Sequence, residues 1–202
     1  YAQELCSPWT ACGLHQVIRD NNYKLTGILN GIDMKRYDPL TDPNLAVHYG
    51  PKQLSGKREC KRSLCRLLGF DENDDGPIVA SISRLVPHKG FDLVVATLED
   101  MVAHGARVVI LGTGESYYED FFREAETRHR GRVSANIMYS DERSSMIYAG
   151  ADLMLMPSRS EPCGLTQMIA MRYGTPPVVH AVGGLRDSVV PHPYDGSNGF
   201  TF

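Results

Sequence analysis

The sequence predicts an α/β fold built on a doubly wound parallel sheet, and three observations support this fold class. From residue 77 onward, five short apolar segments alternate with five segments whose apolar residues recur at helical spacing. One of them, Ala151-Asp-Leu-Met-Leu-Met156, is an apolar run typical of a buried strand. Gly and Pro stand at the ends of these segments. The pattern therefore predicts right-handed βαβ units, with ligands bound at the carboxyl ends of the strands.

The first part of the chain is less regular than the rest. Lys24 to Ile32 predicts a short strand that ends in a turn at Asn30-Gly31. Residues 33–54 are rich in Asp and Pro, which predicts a loop or linker. A helix is expected from about Gly56 to Leu68, with basic side chains on one side and leucines on the other.

The regular part supplies the sheet and the helices that cover it. Inside the helix that starts at Gly90, we expect Leu93, Val94, Leu98 and Met101 to point inward. The predicted strands are 77–83, 106–111, 133–138, 151–156 and 177–180, and the predicted helices are 90–104, 117–128, 141–149, 164–173 and a last one that follows Gly184-Leu185.

Composition excludes several classes of function. The 202 residues carry a net charge of −3 with basic residues scattered among acids, which argues against nucleic-acid binding. No run approaches the roughly 18 apolar residues of a membrane helix, so no membrane partner is expected. The five cysteines form no C-x-x-C pair and the seven histidines show no paired spacing. We therefore expect neither a disulfide framework nor a metal site, and a reducing compartment.

The segment from residue 157 to residue 174 is the strongest candidate for a binding site. Pro157 and Pro162 end the strand before it and prevent a smooth continuation into the helix. The helix that follows is expected to expose the backbone N–H groups of Gly164, Leu165 and Thr166 in its first turn. Free N–H groups at a helix start favour anions, phosphate above all.

Two side chains at the mouth of this segment need a separate explanation. Glu161 lies between residues constrained by proline, and its charge would repel phosphate. It is therefore better suited to contact hydroxyl groups or a developing positive charge. Cys163 has no basic partner near it in sequence, so packing against a ligand suits it better than nucleophilic chemistry.

Other loops at the same edge of the sheet add candidates. Arg84 and Lys89 lie five residues apart after the first regular strand and suit a pyrophosphate, although a solvated basic loop explains them equally well. Gly112-Thr-Gly114 indicates a turn, because Tyr117 stands where the dinucleotide fingerprint has its third glycine. Tyr139 could offer its ring to a flat base, and plain packing is the alternative.

The motifs of these loops resemble those of one family. Ser158-Arg-x-Glu-Pro-Cys-Gly-Leu-Thr-Gln167, with Met171-Arg-Tyr-Gly-Thr175 and Gly183-Gly-Leu185, is similar to bacterial glycogen synthases and plant starch synthases. Gly27-Ile-Leu-Asn-Gly-Ile-Asp33 and Ser83-Arg-Leu-x-x-x-Lys-Gly90 fit the same family in the same order. The resemblance implies a retaining glucosyltransferase of the GT-B architecture and its Rossmann-like C-terminal domain. The implied reaction transfers glucose from ADP-glucose to the non-reducing end of an α-1,4-glucan.

The resemblance also implies roles for individual residues. Arg84 and Lys89 would clamp the diphosphate and stabilise the leaving ADP, and Leu165 and Thr166 would bind phosphate. Tyr139 would stack on the adenine. No metal and no other cofactor is expected, because cationic side chains and the helix start supply the positive charge.

The sugar side of the implied site contains the third expected catalytic residue. Glu161 would contact the glucose hydroxyls, with Cys163 and Gly164 lining the same sugar. Retaining relatives outside this family often have a second glutamate eight residues later, where this chain has Ile169. A scheme with two carboxylates is therefore not expected within this segment.

The division into domains also follows from the resemblance. Residues 1–54 are expected to be the remnant of an N-terminal domain and the linker, and residues 55–202 the donor-nucleotide domain without the family's closing helices. No Lys-x-Gly-Gly-Leu motif of an N-terminal domain is present. We expect the glucan acceptor to bind through that domain, the chain alone to be inactive, and the compartment to be the cytoplasm or the plastid stroma.

Three questions stay open from the sequence. Another GT-B nucleotide-sugar enzyme, similar to sucrose synthase or to an epimerase, is an alternative function. A non-catalytic nucleotide-binding module is a second alternative. The preference for ADP over UDP is not decided.

Overall fold

Six strands form one fully parallel sheet in the computed structural model, which describes residues 1–202. The strand order is β3-β2-β1-β4-β5-β6, so the order reverses between β1 and β4. A reversal of this kind opens a crevice at the carboxyl ends of the two strands. The strands are β1 (Ile78–Ile82), β2 (Arg107–Leu111), β3 (Val133–Asn136), β4 (Leu153–Met156), β5 (Pro177–Val179) and β6 (Phe200–Thr201).

Helices cover both faces of this sheet. A core around Phe91, Leu98 and Phe122 lies on one face, and a larger core around Leu64, Met154 and Tyr173 lies on the other. The doubly wound α/β prediction is therefore confirmed. The helices are α1 (His15–Asp20), α2 (Ser55–Leu68), α3 (Phe91–Ala103), α4 (Ser116–Arg128), α5 (Asp141–Gly150), α6 (Thr166–Arg172) and α7 (Gly183–Ser188), and 3₁₀ turns span Glu4–Cys6, Asn22–Lys24 and Pro87–Lys89. No helix is both long enough and apolar enough to cross a membrane.

Two local predictions are wrong, and one strand was not predicted. Residues 25–33 contain no strand, because no strand of the sheet pairs with them, and Ile28 is 87% exposed. The sequence analysis missed β6, since a strand of two residues has no detectable period; it pairs with β5 through Val178 and Phe200. Leu93 is exposed rather than inward, because it lies beside the buried stripe that Val94 and Leu98 form. The last helix, α7, starts at Gly183, three residues earlier than predicted, and the other predicted ends of strands and helices differ from the structure by at most two residues.

Arg107, the first residue of β2, is a fully buried cation without a carboxylate partner. Its guanidinium donates to the backbone carbonyls of Asp71 at 3.0 Å and Asp74 at 2.9 Å, and also to that of Gly76. A buried charge requires such hydrogen bonds to offset its desolvation. The acidic loop of residues 71–76 is thus tied to the edge of the sheet rather than being only a solvated turn.

The segment before α2 packs against the sheet domain. Tyr49 is 4% exposed, and its hydroxyl donates to the backbone carbonyl of Tyr173 at 2.8 Å. The hydroxyl of Tyr173 in turn donates to the buried carboxylate of Asp42 at 2.5 Å. Within the predicted linker, Tyr49 is therefore part of the larger core, and Asp42 is hydrogen-bonded to a member of that core. The boundary between residues 54 and 55 stays a prediction.

Lys57 in α2 is a buried amine that contacts only polar oxygen atoms of the chain. Its Nζ donates to the hydroxyl of Thr175 at 2.6 Å and to the carbonyl of Ala149 at 3.0 Å. Burial lowers the pKa of Lys57 from 10.5 to about 8. Below pH 8 the amine is charged in both the folded and the unfolded chain, so the full cost of burying the charge lowers the stability of the fold. Between pH 8 and 10.5 the unfolded chain holds a proton that the folded chain has lost, so stability rises with pH.

This linkage predicts a stability difference that depends on pH. From about pH 7 to about pH 9.5, wild type should gain about 2 kcal/mol in free energy of unfolding relative to Lys57→Met, at roughly 1.4 kcal/mol per pKa unit. Burial also raises the pKa values of Tyr49 and Tyr173, which lowers stability above pH 10, but both proteins share these tyrosines. Urea unfolding of both proteins across this range measures the difference. A difference that stays constant with pH would contradict the burial argument.

Candidate functional site

The carboxyl ends of β1 and β4 enclose a cavity of about 250 Å³. It lies where the strand order reverses, which is where ligands bind in sheets of this type. Five of the eight predicted site residues line it together, namely Lys89, Glu161, Gly164, Leu165 and Thr166. The prediction that they share one site is consistent with this placement, and their roles stay predictions.

Lys89 and Glu161 form an ion pair inside this cavity. The lysine Nζ lies 2.6 Å from Oε2 of the glutamate, and the two side chains are only 17% and 9% exposed. Ser158 donates its hydroxyl to the same carboxylate oxygen at 3.1 Å. Because both side chains are largely buried, the two charges satisfy each other, and removing one leaves the other uncompensated. A ligand with its own negative charge would therefore compete with Glu161 for Lys89.

The start of α6 presents unpaired backbone donors to the same cavity. The helix starts at Thr166, two residues later than predicted, because Gly164 has a left-handed φ of +73° that no helix residue adopts. The N–H groups of Gly164, Leu165 and Thr166 nevertheless have no acceptor within the chain. These donors, together with the lysine amine, give the cavity a concentration of positive charge.

Two glycines hold the Glu161 segment against α7. The N–H of Gly184 donates to the carbonyl of Glu161 at 2.9 Å. A Cβ atom at Gly183 would lie 2.0 Å from that carbonyl oxygen, and one at Gly184 would lie 2.1 Å from the carbonyl oxygen of Cys163. The backbones therefore approach more closely than any side chain allows. This contact explains the glycine pair that the sequence analysis singled out.

Three more residues support the segment, and the sequence analysis assigned them no role. Gln167 is fully buried, and its amide donates to the carbonyls of Cys163 and Gly164, both at 3.0 Å. A ring nitrogen of His180 lies 3.0 Å from the carbonyl of Ser158. The third is Ser158 itself. Ser158 and Gln167 belong to the motif that carried the resemblance, which was the available signal, whereas His180 showed none.

Arg84 and Tyr139 line a second cavity of about 210 Å³ at the ends of β1, β2 and β3. It shares Ile82 and Ser83 with the first cavity, so the two are neighbours. Arg84 makes no side-chain hydrogen bond within the chain. Tyr139 is 85% exposed and donates its hydroxyl to Asp141 at 3.0 Å, a hydrogen bond that raises the pKa of Tyr139. An exposed aromatic ring beside a free guanidinium suits a base or ribose next to a diphosphate.

Gly112 brings β2 close to the loop that carries Arg84. A Cβ atom at Gly112 would lie 1.8 Å from the carbonyl oxygen of Ser83, and one at Gly114 would lie 2.1 Å from that of Leu85. The predicted turn is therefore also a close contact between two loops. Gly112 and Ser83, which make the first of these contacts, both line the second cavity.

Cys163 lies apart from the other predicted residues. It lines a third cavity of about 640 Å³ together with residues 25–30, and its Sγ accepts a hydrogen bond from the N–H of Asn30 at 3.3 Å. The thiol thus faces the N-terminal part of the chain rather than Lys89. No group of three or more His, Cys, Asp or Glu side chains is placed to hold a metal ion.

Comparison with known proteins decides which family this site belongs to. The family model described as "Glycosyl transferases group 1" matches residues 69–202. The chain belongs to the group 1 family of glycosyl transferases. This match includes the whole sheet and every residue of the first two cavities.

Curated relatives of this chain are glycogen synthases. It is 47% identical to glycogen synthase of Streptococcus sanguinis over 204 residues, and 47% identical to that of Anaeromyxobacter sp. over 205 residues. Each alignment covers 100% of this chain and 43% of the relative. The chain therefore spans less than half the length of the curated relatives it matches. The resemblance inferred from the motifs is confirmed.

A solved structure supports the same assignment of the fold. The catalytic domain of starch synthase IV from Arabidopsis thaliana, bound to ADP and acarbose, matches with a TM-score of 0.93 and 38% identity. That match covers 100% of this chain and 43% of the other chain. Sucrose-phosphate synthase from Thermosynechococcus elongatus matches with a TM-score of only 0.53 over 69% of this chain. The alternatives of a sucrose-synthase-like or epimerase-like enzyme are therefore not favoured.

Proposed function

We propose that this chain is the donor-binding part of a glycogen or starch synthase. The whole enzyme would transfer glucose from ADP-glucose to the non-reducing end of an α-1,4-glucan with retention of configuration. One observation carries the proposal: Lys89, Glu161 and three free backbone N–H groups converge on one cavity at the reversal of strand order. The identity to glycogen synthases and the likeness to an ADP-bound starch synthase support it.

The positive side of the cavity suits the diphosphate of the donor. In this proposal Lys89 and the N–H groups of Leu165 and Thr166 bind the phosphates, and Arg84 contacts them from the neighbouring cavity. These donors would also stabilise the negative charge that develops on the departing ADP. The positive charge a metal ion often supplies would thus come from the chain itself.

The negative side of the cavity suits the sugar. Glu161 is held by Ser158 and by the contact with Gly184, so its carboxylate has a defined position beside the phosphate donors. A carboxylate there would accept hydrogen bonds from glucose hydroxyls and favour a positively charged transition state. We propose that Gly164 and Cys163 line the same sugar, with the Cys163 thiol on the side that faces residues 25–30.

The base and the rest of the enzyme complete the proposal. Tyr139 offers an exposed ring for adenine at the outer end of the second cavity. We propose that residues 55–202 form the donor domain and that residues 1–54 belong to an N-terminal domain and linker. The glucan would bind through that N-terminal domain, and the reaction would take place in the cytoplasm or plastid stroma.

Calorimetric titration of the chain with ADP, UDP and ADP-glucose tests the proposal. We expect ADP and ADP-glucose to bind, ADP more tightly than UDP, and the affinity to be the same in EDTA because the chain supplies the positive charge. A preference for UDP would favour another GT-B enzyme. No binding of any nucleotide would favour a module that has kept the fold and lost the donor site.

A further inference from the structure

Two loops that come from different parts of the chain meet at the first cavity. The lysine loop (residues 83–90) carries Lys89, and the glutamate loop (residues 157–165) carries Glu161. They touch at Gly90, whose φ is +75° and where a Cβ atom would lie 2.0 Å from the carbonyl oxygen of Pro157. The position of Lys89 relative to Glu161 therefore depends on how these loops are held together.

Arg159 of the glutamate loop makes two contacts with the other side. Its backbone N–H donates to the carbonyl of His88 at 2.9 Å, and its guanidinium pairs with the carboxylate of Asp92 in the first turn of α3. Asp92 has no other hydrogen-bond partner in the chain, and its second oxygen is buried without one. Arg159 thus joins the glutamate loop both to the residue before Lys89 and to the helix that follows it.

Arg159 itself does not line the cavity, and its side chain is 58% exposed. An ion pair this exposed contributes little to global stability, since water and salt screen it. The pair does, however, join the glutamate loop to the first turn of α3, which directly follows the lysine loop. The contact is therefore suited to set a position rather than to hold the fold.

We propose that Arg159, through its pair with Asp92, is a positioning residue that fixes the lysine loop on the glutamate loop and thereby sets the place of Lys89 for the donor diphosphate. The diphosphate part rests on the proposed function. The positional part concerns only the ligand-free chain. The two parts are therefore tested by different measurements.

The first test is the labelling of lysine amines by an acylating reagent, followed by mass spectrometry. In wild type, Lys89 is shielded by its position and by Glu161, so it should react slowly. In Arg159→Ala, we expect labelling of Lys89 to rise about threefold or more, with Arg159→Lys nearer to wild type. The internal reference is Lys61 of α2, whose Nζ lies 2.7 Å from the carboxylate of Asp152. Equal labelling of Lys89 in wild type and Arg159→Ala would overturn the proposal, whatever the chain binds.

The second test is a double-mutant cycle on ADP affinity, with Arg159→Ala, Lys89→Ala and both together. Arg159→Ala should weaken ADP binding about three- to tenfold in the wild-type background and leave it unchanged in the Lys89→Ala background. Arg123→Ala, which removes an equally exposed arginine pair on α4, should leave the affinity unchanged. Melting temperatures of Arg159→Ala and Arg123→Ala should stay close to wild type, because both arginine pairs are exposed.

The outcomes distinguish the role of Arg159 in placing Lys89 from the proposed binding of ADP. If the effect of Arg159→Ala is as large without Lys89 as with it, Arg159 does not act through Lys89 and the proposal is overturned. If wild type does not bind ADP at all, the proposed function fails, while the labelling experiment still decides the placement of Lys89.

Discussion

Replacing Lys89 with alanine is expected to weaken ADP binding by about 1–3 kcal/mol, which is about 5- to 150-fold. The amine lines the cavity and its side chain is only 17% exposed, so a charge-assisted contact there is screened less than one at the surface. Titration calorimetry of wild type and variant measures the change. Circular dichroism confirms that the variant folds, because the loss also leaves Glu161 without its cation.

A control and a complementary variant make this prediction specific. Lys61→Ala removes another partly buried lysine with a carboxylate 2.7 Å away, and it should leave ADP binding unchanged because Lys61 lines neither donor cavity. Glu161→Gln removes the charge that competes with the diphosphate for Lys89 and is expected to tighten ADP binding. Unchanged ADP affinity in Lys89→Ala would mean that the ion pair of Lys89 with Glu161 has only a structural role.

Replacing Gly184 with alanine is expected to lower the free energy of unfolding by about 3 kcal/mol and to weaken ADP binding in the fraction that folds. The new Cβ would lie 2.1 Å, 2.3 Å and 2.5 Å from three backbone atoms of Cys163, none of which can move without moving the glutamate loop. The hydrogen bond from the N–H of Gly184 to the carbonyl of Glu161 would be displaced as well. Urea unfolding and calorimetry on the same samples measure both effects.

Gly31→Ala is the matched control for this variant. Gly31 lies in a loop, and no heavy atom lies within 4 Å of the position its Cβ would occupy. Its replacement should therefore leave stability within about 0.5 kcal/mol of wild type. If Gly184→Ala proves as mild as Gly31→Ala, the glutamate loop must be able to shift without cost, and the close approach cannot be what positions Glu161.

Most of the sheet could be predicted because its strands are buried on both faces. In β2 all five residues are buried, and the four that follow Arg107 are a continuous apolar run, which the sequence shows whatever the neighbouring strands are. β6 could not be predicted, because two residues have no period and its only support is pairing with β5. The proposed strand at residues 24–32 failed for the converse reason, since its alternation has no neighbouring strand to pair with.

For the candidate site, too, the sequence predicts some features and not others. Glycines, prolines and charged residues at strand ends identify Arg84, Lys89 and Glu161 from the sequence, since parallel strands bring all their carboxyl ends to one edge. Local pattern does not show which of these side chains meet. The structure pairs Lys89 with Glu161 across 72 residues of chain, leaves Arg84 in the next cavity and turns Cys163 towards Asn30.

The sequence by itself determined the fold class, the edge of the sheet that holds the site, and the family to which the motifs belong. These depend on hydrophobic periodicity and short motifs, which are local properties of the chain. Only the tertiary structure decided the ion pair in the cavity, the clamp of Gly183 and Gly184 on the glutamate loop, and the contact of Arg159 with Asp92. These contacts join residues far apart in sequence, and they form only because packing of the sheet and its helices brings two loops within hydrogen-bonding distance.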